Sequence, residues 1–243
     1  RSTLFPYTTL FRSPYSRRFY YPPDVSMIRS GSQVFLNLAI GSGYRGHPKN
    51  AQIHDRFYSL RDYQPFTAKT QAQYDSFTPI AESNAKLIDV TTDVNPTMPV
   101  DALGWRINLD AADGEKVLAE ARTFEGKILF TSYLPNSGVT VPGSNSCVAR
   151  QGTNRLYTVN AADGRPAFNR DGSTNPDGTP ADPDSPDDRW DELSQSGIAP
   201  EPVILFPETS VPTCIVGVEQ CGVAFTNNPV RTFWNRQDTD NSN

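Results

Sequence analysis

Asn108-Leu109-Asp110-Ala111-Ala112-Asp113-Gly114 and Thr158-Val159-Asn160-Ala161-Ala162-Asp163-Gly164 are two versions of one segment. Val159 stands 50 residues after Leu109, and Leu60, in a similar strand-like run with Tyr58 before it, stands 49 residues before Leu109. A period of about 40–50 residues with several strands per unit is the signature of propeller blades, small sheets that each need a neighbour stacked on either side. A β-sandwich with chance similarity is the competing reading. The duplicated Ala-Ala-Asp-Gly favours the first, so the sequence predicts an all-β fold: a partial β-propeller of several antiparallel blades with loop insertions.

Working outward, the runs that flank the repeat read as strands. In Val34–Ile40 the apolar set Val34, Leu36, Leu38 and Ile40 alternates with Phe35, Asn37 and Ala39, the two-residue period of a strand. Arg56–Leu60, Trp105–Leu109, Lys116–Leu118, Lys127–Tyr133, Arg155–Asn160 and Val203–Phe206 have similar character. Asp113-Gly114, Glu125-Gly126 and Asp163-Gly164 favour tight hairpin turns, because glycine accepts positive φ. Two regions break the rhythm. Gln71–Phe77 could form a short helix or an irregular loop. Residues 169–197 are dense in Asp, Pro, Gly and Ser, too poor in apolar surface to offset the entropy of ordering, and predict an exposed, mobile acidic insertion between strands.

Composition agrees with strands and turns: 21 Pro and 16 Gly accompany only 37% hydrophobic and 20% charged residues. The formal net charge of −5 argues against nucleic acid as a partner, since phosphate binding needs a basic stripe. No apolar run approaches the roughly 18 residues of a membrane-crossing helix. Thr3–Ser13 resembles the conceptual translation of a common sequencing-library adapter. Residues 1–13 are therefore set aside as an artefact, and 14–243 are taken as one domain or part of one, with a truncated N-terminus expected.

The side chains that could carry chemistry are few. His47 and His54 are the only histidines, seven apart across Pro48, and lack the further ligands a zinc site needs; a Ser-His-Asp triad is equally unsupported. Asp171, Asp177, Asp182, Asp184, Asp187, Asp188 and Asp191 are irregularly spaced and interrupted by prolines, unlike a calcium loop, so they read as solvated loop residues. Gly41-Ser42-Gly43 lacks the Lys-Ser/Thr ending of a phosphate loop and reads as a blade turn. Trp105 is assigned to packing, and Trp234 to a final strand that helps close the ring. No residue is assigned a catalytic, cofactor-binding or metal-binding role. Of Cys147, Cys214 and Cys221, the last two are close enough to close a small loop; three free thiols are the alternative.

Several of these segments together resemble one family. Ile40-Gly41-Ser42-Gly43-Tyr44-Arg45-Gly46-His47-Pro48 with Asp55–Asp62, Gly104–Leu109 with Gly114–Leu118, Phe130–Pro135, Gly152–Tyr157 and the terminal Pro229–Trp234 are similar, in order, to segments of the PilY family. They span most of residues 19–236. The resemblance implies a seven-bladed quinoprotein-like propeller, an exported protein of the pilus, outer surface or periplasm, and a non-enzymatic role in type IV pilus assembly that opposes retraction and supports twitching motility and adhesion. It implies pilins, minor pilins and host or surface ligands as partners. Export would favour the Cys214–Cys221 bridge. Some relatives carry a calcium loop, but it lies upstream of the matching segments, so no cofactor is expected in this segment. A quinone-dependent (PQQ-type) dehydrogenase propeller and a carbohydrate-binding propeller are the alternatives, since fold alone does not fix chemistry. Residues 14–243 alone are expected to be poorly soluble if too few blades are present to close a ring.

Overall fold

The computed structural model describes residues 17–110, 112–135, 152–175, 177, 179, 181–208, 210–223, 225 and 226, and the backbone of Phe11–Arg12. It holds the strands β1 (Phe11–Arg12), β2 (Asp24–Ser30), β3 (Gln33–Gly41), β4 (Arg56–Asp62), β5 (Ile80–Ala81), β6 (Leu87–Asp89), β7 (Gly104–Asn108), β8 (Lys116–Val117), β9 (Arg122–Phe124), β10 (Lys127–Leu134), β11 (Thr153–Asn160), β12 (Trp190–Leu193), β13 (Pro202–Leu205), β14 (Thr213–Val216) and β15 (Glu219–Gln220). Among the described residues there is one α-helix, α1 (Gln71–Asp75), which begins at a Thr70 capping box with Gln73. The chain is all-β and built from several antiparallel sheets, none closed into a barrel.

The first large sheet has the order β2-β3-β4-β7-β6, with β6 parallel to β7 and the other pairs antiparallel. The second runs β12-β11-β10-β8, with β9 also on β10. The third is β13-β14-β15, and the short β1 runs parallel to β5. The sheets pack face against face in chain order. Phe35, Ala39, Phe57, Trp105 and Ile107 of the first meet Val117, Ile128, Phe130, Tyr157 and Val159 of the second. From the opposite face of the second sheet, Leu129, Leu156 and Leu193 meet Cys214 and Val216 of the third. At the first junction Phe57 stacks on Phe130 with centroids 3.7 Å apart, and Phe130 on its cross-strand partner Tyr157 at 4.6 Å. Each such buried ring contributes about 3 kcal/mol relative to exposure.

Each main strand expected from the sequence within the described residues is present, with one difference in how the turns connect them. Glu125-Gly126 joins β9 to β10 as a two-residue hairpin, and both residues have positive φ, 49° and 71°. Asp113-Gly114, in contrast, is not a hairpin. β7 and β8 belong to different sheets, so this turn carries the chain from one layer to the next. Its counterpart Asp163-Gly164 folds the chain back beside β11, with Asn160 N–H donating to Arg165 O at 2.9 Å.

The acidic stretch 169–197 also departs from an irregular insertion. Pro186–Arg189 forms a 3-10 helix started by Ser185, and Trp190–Leu193 is the edge strand β12, paired with β11. The physical reason is local. Asp188 is 2% exposed and accepts the backbone N–H groups of Arg170, Asp184 and Ser185, so its charge serves as a cap instead of facing water. In β3 the two alternating sets separate as expected, but both faces are covered at the centre: Phe35, Asn37 and Ala39 turn toward the second sheet and Leu38 toward the opposite cluster.

Candidate functional site

The loop between β3 and β4 gathers polar chemistry against the edge of the second sheet. Its glycines allow a close approach and do not form the turn that the sequence suggested. A Cβ on Gly41 would lie 2.3 Å from the Val117 side chain, and one on Gly43 would lie 2.2 Å from the Val117 carbonyl oxygen. Between them Ser42 ties three segments together. Its N–H donates to Arg56 O at 2.8 Å, its carbonyl accepts from Val117 N–H at 2.9 Å, and its hydroxyl donates to Asp55 Oδ1 at 2.7 Å. Burial pushes the Asp55 carboxyl above the ordinary carboxylate range, with the Ser42 hydroxyl and the charge of Lys116 working against the rise.

Lys116 enters the same space from β8. It is 1% exposed, and its ammonium donates to Asn50 O at 2.8 Å and to Gly114 O. Burial pulls its pKa down, opposed by Asp55. Over the opening, the Arg18 guanidinium lies 3.8 Å from the centroid of Tyr44, whose other neighbours are Tyr20, stacked at 6.0 Å, and His47 at 6.2 Å. Arg45 reaches Tyr21 and donates to Leu118 O at 2.8 Å. Arg18, Tyr44, Asp55 and Lys116 are among the walls of a cavity of about 170 Å³.

A wider cleft of about 530 Å³ adjoins it, sharing Gln52 and Ile53. It is lined by Arg17, His54, Arg56, Asp110 and Asp113. Nη1 of Arg17 donates to both oxygens of buried Glu82, at 2.8 Å each; Arg56 approaches the same carboxylate at 3.5 Å, and the Tyr58 hydroxyl donates to it. Burial raises the Tyr58 phenol, and the Glu82 contact raises it further. His54 faces Asp110 at 3.4 Å, both exposed. A third cavity, about 590 Å³, lies beside α1 between Arg61, Tyr74 and Phe77.

The residues weighed in the sequence fall apart in space. His47 packs by Tyr44 while His54 pairs with Asp110. Asp171 and Asp177 each accept the backbone N–H two residues on, and Asp191 pairs with Arg170. Among the described residues, no group of three or more His, Cys, Asp or Glu is placed to hold a metal. Trp105 is fully buried and its indole N–H donates to Ala161 O at 3.1 Å, a packing position. Cys214 and Cys221 form a disulfide, whereas Cys147 and Pro229–Trp234 lie outside the described residues. Sequence reasoning missed Arg18 and Lys116. Lys116 stands between Glu115 and Val117 in a strand too short for alternation to reveal that it points inward.

Serially packed antiparallel sheets joined by layer-crossing turns define the class of this all-β protein. Within it, the chain shares the fold of the crystal structure of the Pseudomonas aeruginosa PilY1 C-terminal domain, with a TM-score of 0.55 and 13% identity over 87% of this chain and 46% of that one. The chain therefore spans about half the length of that domain, and at the level of fold it is PilY-like. No family model and no curated protein matches it.

Proposed function

We propose that this chain is part of a type IV pilus assembly factor of the PilY kind, acting by the surface it displays and not by catalysis. The observation that carries the reading is the fold shared with the PilY1 C-terminal domain, reached independently of the ordered PilY-like segments in the sequence. The Cys214–Cys221 disulfide supports an exported location, pilus, outer surface or periplasm, because such bonds persist in oxidising compartments. Pilins, minor pilins and surface ligands are the proposed partners.

The same proposal extends to the ring. Three sheets follow one another face to face, and the two outermost faces are partly bare. Val25 and Met27 of β2 and Val34 of β3 are 48%, 48% and 52% exposed at one end of the stack; Val203 and Leu205 of β13 are each 42% exposed at the other. Open apolar faces at both ends are what a segment of a propeller presents where adjacent blades would continue.

Removing the gene from its bacterium tests the function. The expected outcome is loss of surface pili and twitching, restored by the wild-type gene. Normal piliation, twitching and surface attachment in the deletion strain would overturn it, and quinone absorbance in the purified full-length protein would favour a dehydrogenase instead.

A further inference from the structure

We propose that the cavity between Arg18 and Lys116 is a binding subsite for a carboxylate carried by a partner polypeptide. The inference rests on the display reading for its biological setting, but its chemistry stands on the cavity alone.

The inner wall supplies a cation lacking a close counter-charge. Lys116 is 1% exposed, yet none of the described carboxylates lies within 4.0 Å of its ammonium; its described partners are two backbone carbonyls, which leaves one of its three N–H donors for a ligand. A buried ammonium without a paired anion is costly, and an incoming carboxylate offsets that cost. Asp55 also lines the cavity and its field reaches Lys116, but its Oδ1 is taken by the Ser42 hydroxyl. The rim supplies a second cation. Arg18 is exposed and stacked on Tyr44, with hydrogen bonds to the Tyr20 and Tyr44 side chains that hold it at the rim and no described acid within 4.0 Å, so its charge faces an incoming carboxylate.

The surroundings favour a polypeptide as the bearer. Arg18 is exposed at the rim of this cavity in a chain whose net charge is −5, a positive group turned toward an acidic partner. Tyr20, 49% exposed, stacks on Tyr44 beside the opening, and tyrosine with arginine is the composition enriched at the anchoring centres of protein interfaces. A volume of about 170 Å³ is smaller than the usual small-molecule pocket and suits one acidic side chain or a chain terminus.

Ligand-observed saturation-transfer NMR on the full-length protein tests this with two probe pairs. Acetyl-Gly-Glu-Gly amide is compared with its Gln counterpart, and acetyl-Gly-Gly-Gly with a free C-terminus is compared with its amide. Saturable binding of at least one carboxylate probe is expected, about tenfold tighter than its neutral control, and reduced by a similar factor in Arg18→Gln and Lys116→Met. The pair that responds identifies side chain or terminus as the source. The inference fails if neither carboxylate outbinds its control, or if Arg18→Gln binds as wild type. Arg18 is exposed, so this variant decides the matter even if Lys116→Met does not fold. Failure here leaves the pilus phenotype untouched, and a negative phenotype leaves the binding result standing.

Discussion

Arg189 is 1% exposed, and its guanidinium donates to four backbone carbonyls: Val90 at 2.7 Å, Thr91 at 2.9 Å, Asp93 at 2.6 Å and Gly164 at 2.9 Å. Arg189→Met keeps much of the volume but strands these acceptors, at a cost of at least about 3 kcal/mol; a urea midpoint unchanged from wild type would contradict this role. Asp89 governs a different variable. Burial works to raise its carboxyl, but the Thr91 hydroxyl and N–H and the Arg106 guanidinium prevail and hold it at about 2. Because the folded value lies below the unfolded one, the group's contribution is complete above about pH 4 and is lost as pH falls toward 2. The stability difference between wild type and Asp89→Asn should therefore shrink over that interval in urea titrations, and a difference constant from pH 5 to 2 would refute the assignment.

Elements were legible where alternation and turn chemistry agree. β3, β4, β7, β10 and β11 could be read from their runs, and Glu125-Gly126 from its glycine. The partners of those strands were less legible, because Asp113-Gly114 uses hairpin residues to cross between layers, and a turn's residues do not state which sheet its exit strand joins. β12 was hidden inside a run of acidic residues, since composition reports mean polarity and not the caps that Asp188 provides. The small site was illegible for a related reason: Arg18 and Lys116 are far apart in sequence and meet only through the close approach that Gly41 and Gly43 permit. In the third sheet, the Cys214–Cys221 bridge closes a short loop between β14 and the residues after β15, where Cys221 N–H also donates to Cys214 O at 2.9 Å. Its reduction should cost about 2.5 kcal/mol and speed amide exchange in β13–β15 more than in β3 and β4. Uniform acceleration across all sheets would show that the bridge restrains the whole chain and not one hairpin.

The whole molecule is a series of layers, and its terminal faces make the ring proposal testable. Val25 and Met27 point from β2 away from the second sheet, alongside Leu36 and Leu38 across the strand pair. In the full-length protein, Val25→Glu with Met27→Glu should lower stability by about 2–4 kcal/mol if another blade covers this face; a melting temperature within error of wild type would mean the face is open to water. The Arg189 contacts have a consequence of another kind, for the order of events at the ribosome. The acceptors at 90–93 are made 96 to 99 residues before the side chain that fastens them. At ordinary translation speeds that interval lasts roughly 5–20 s. Through it the first layer exists without its latch, open to proteases and chaperones until residue 189 emerges.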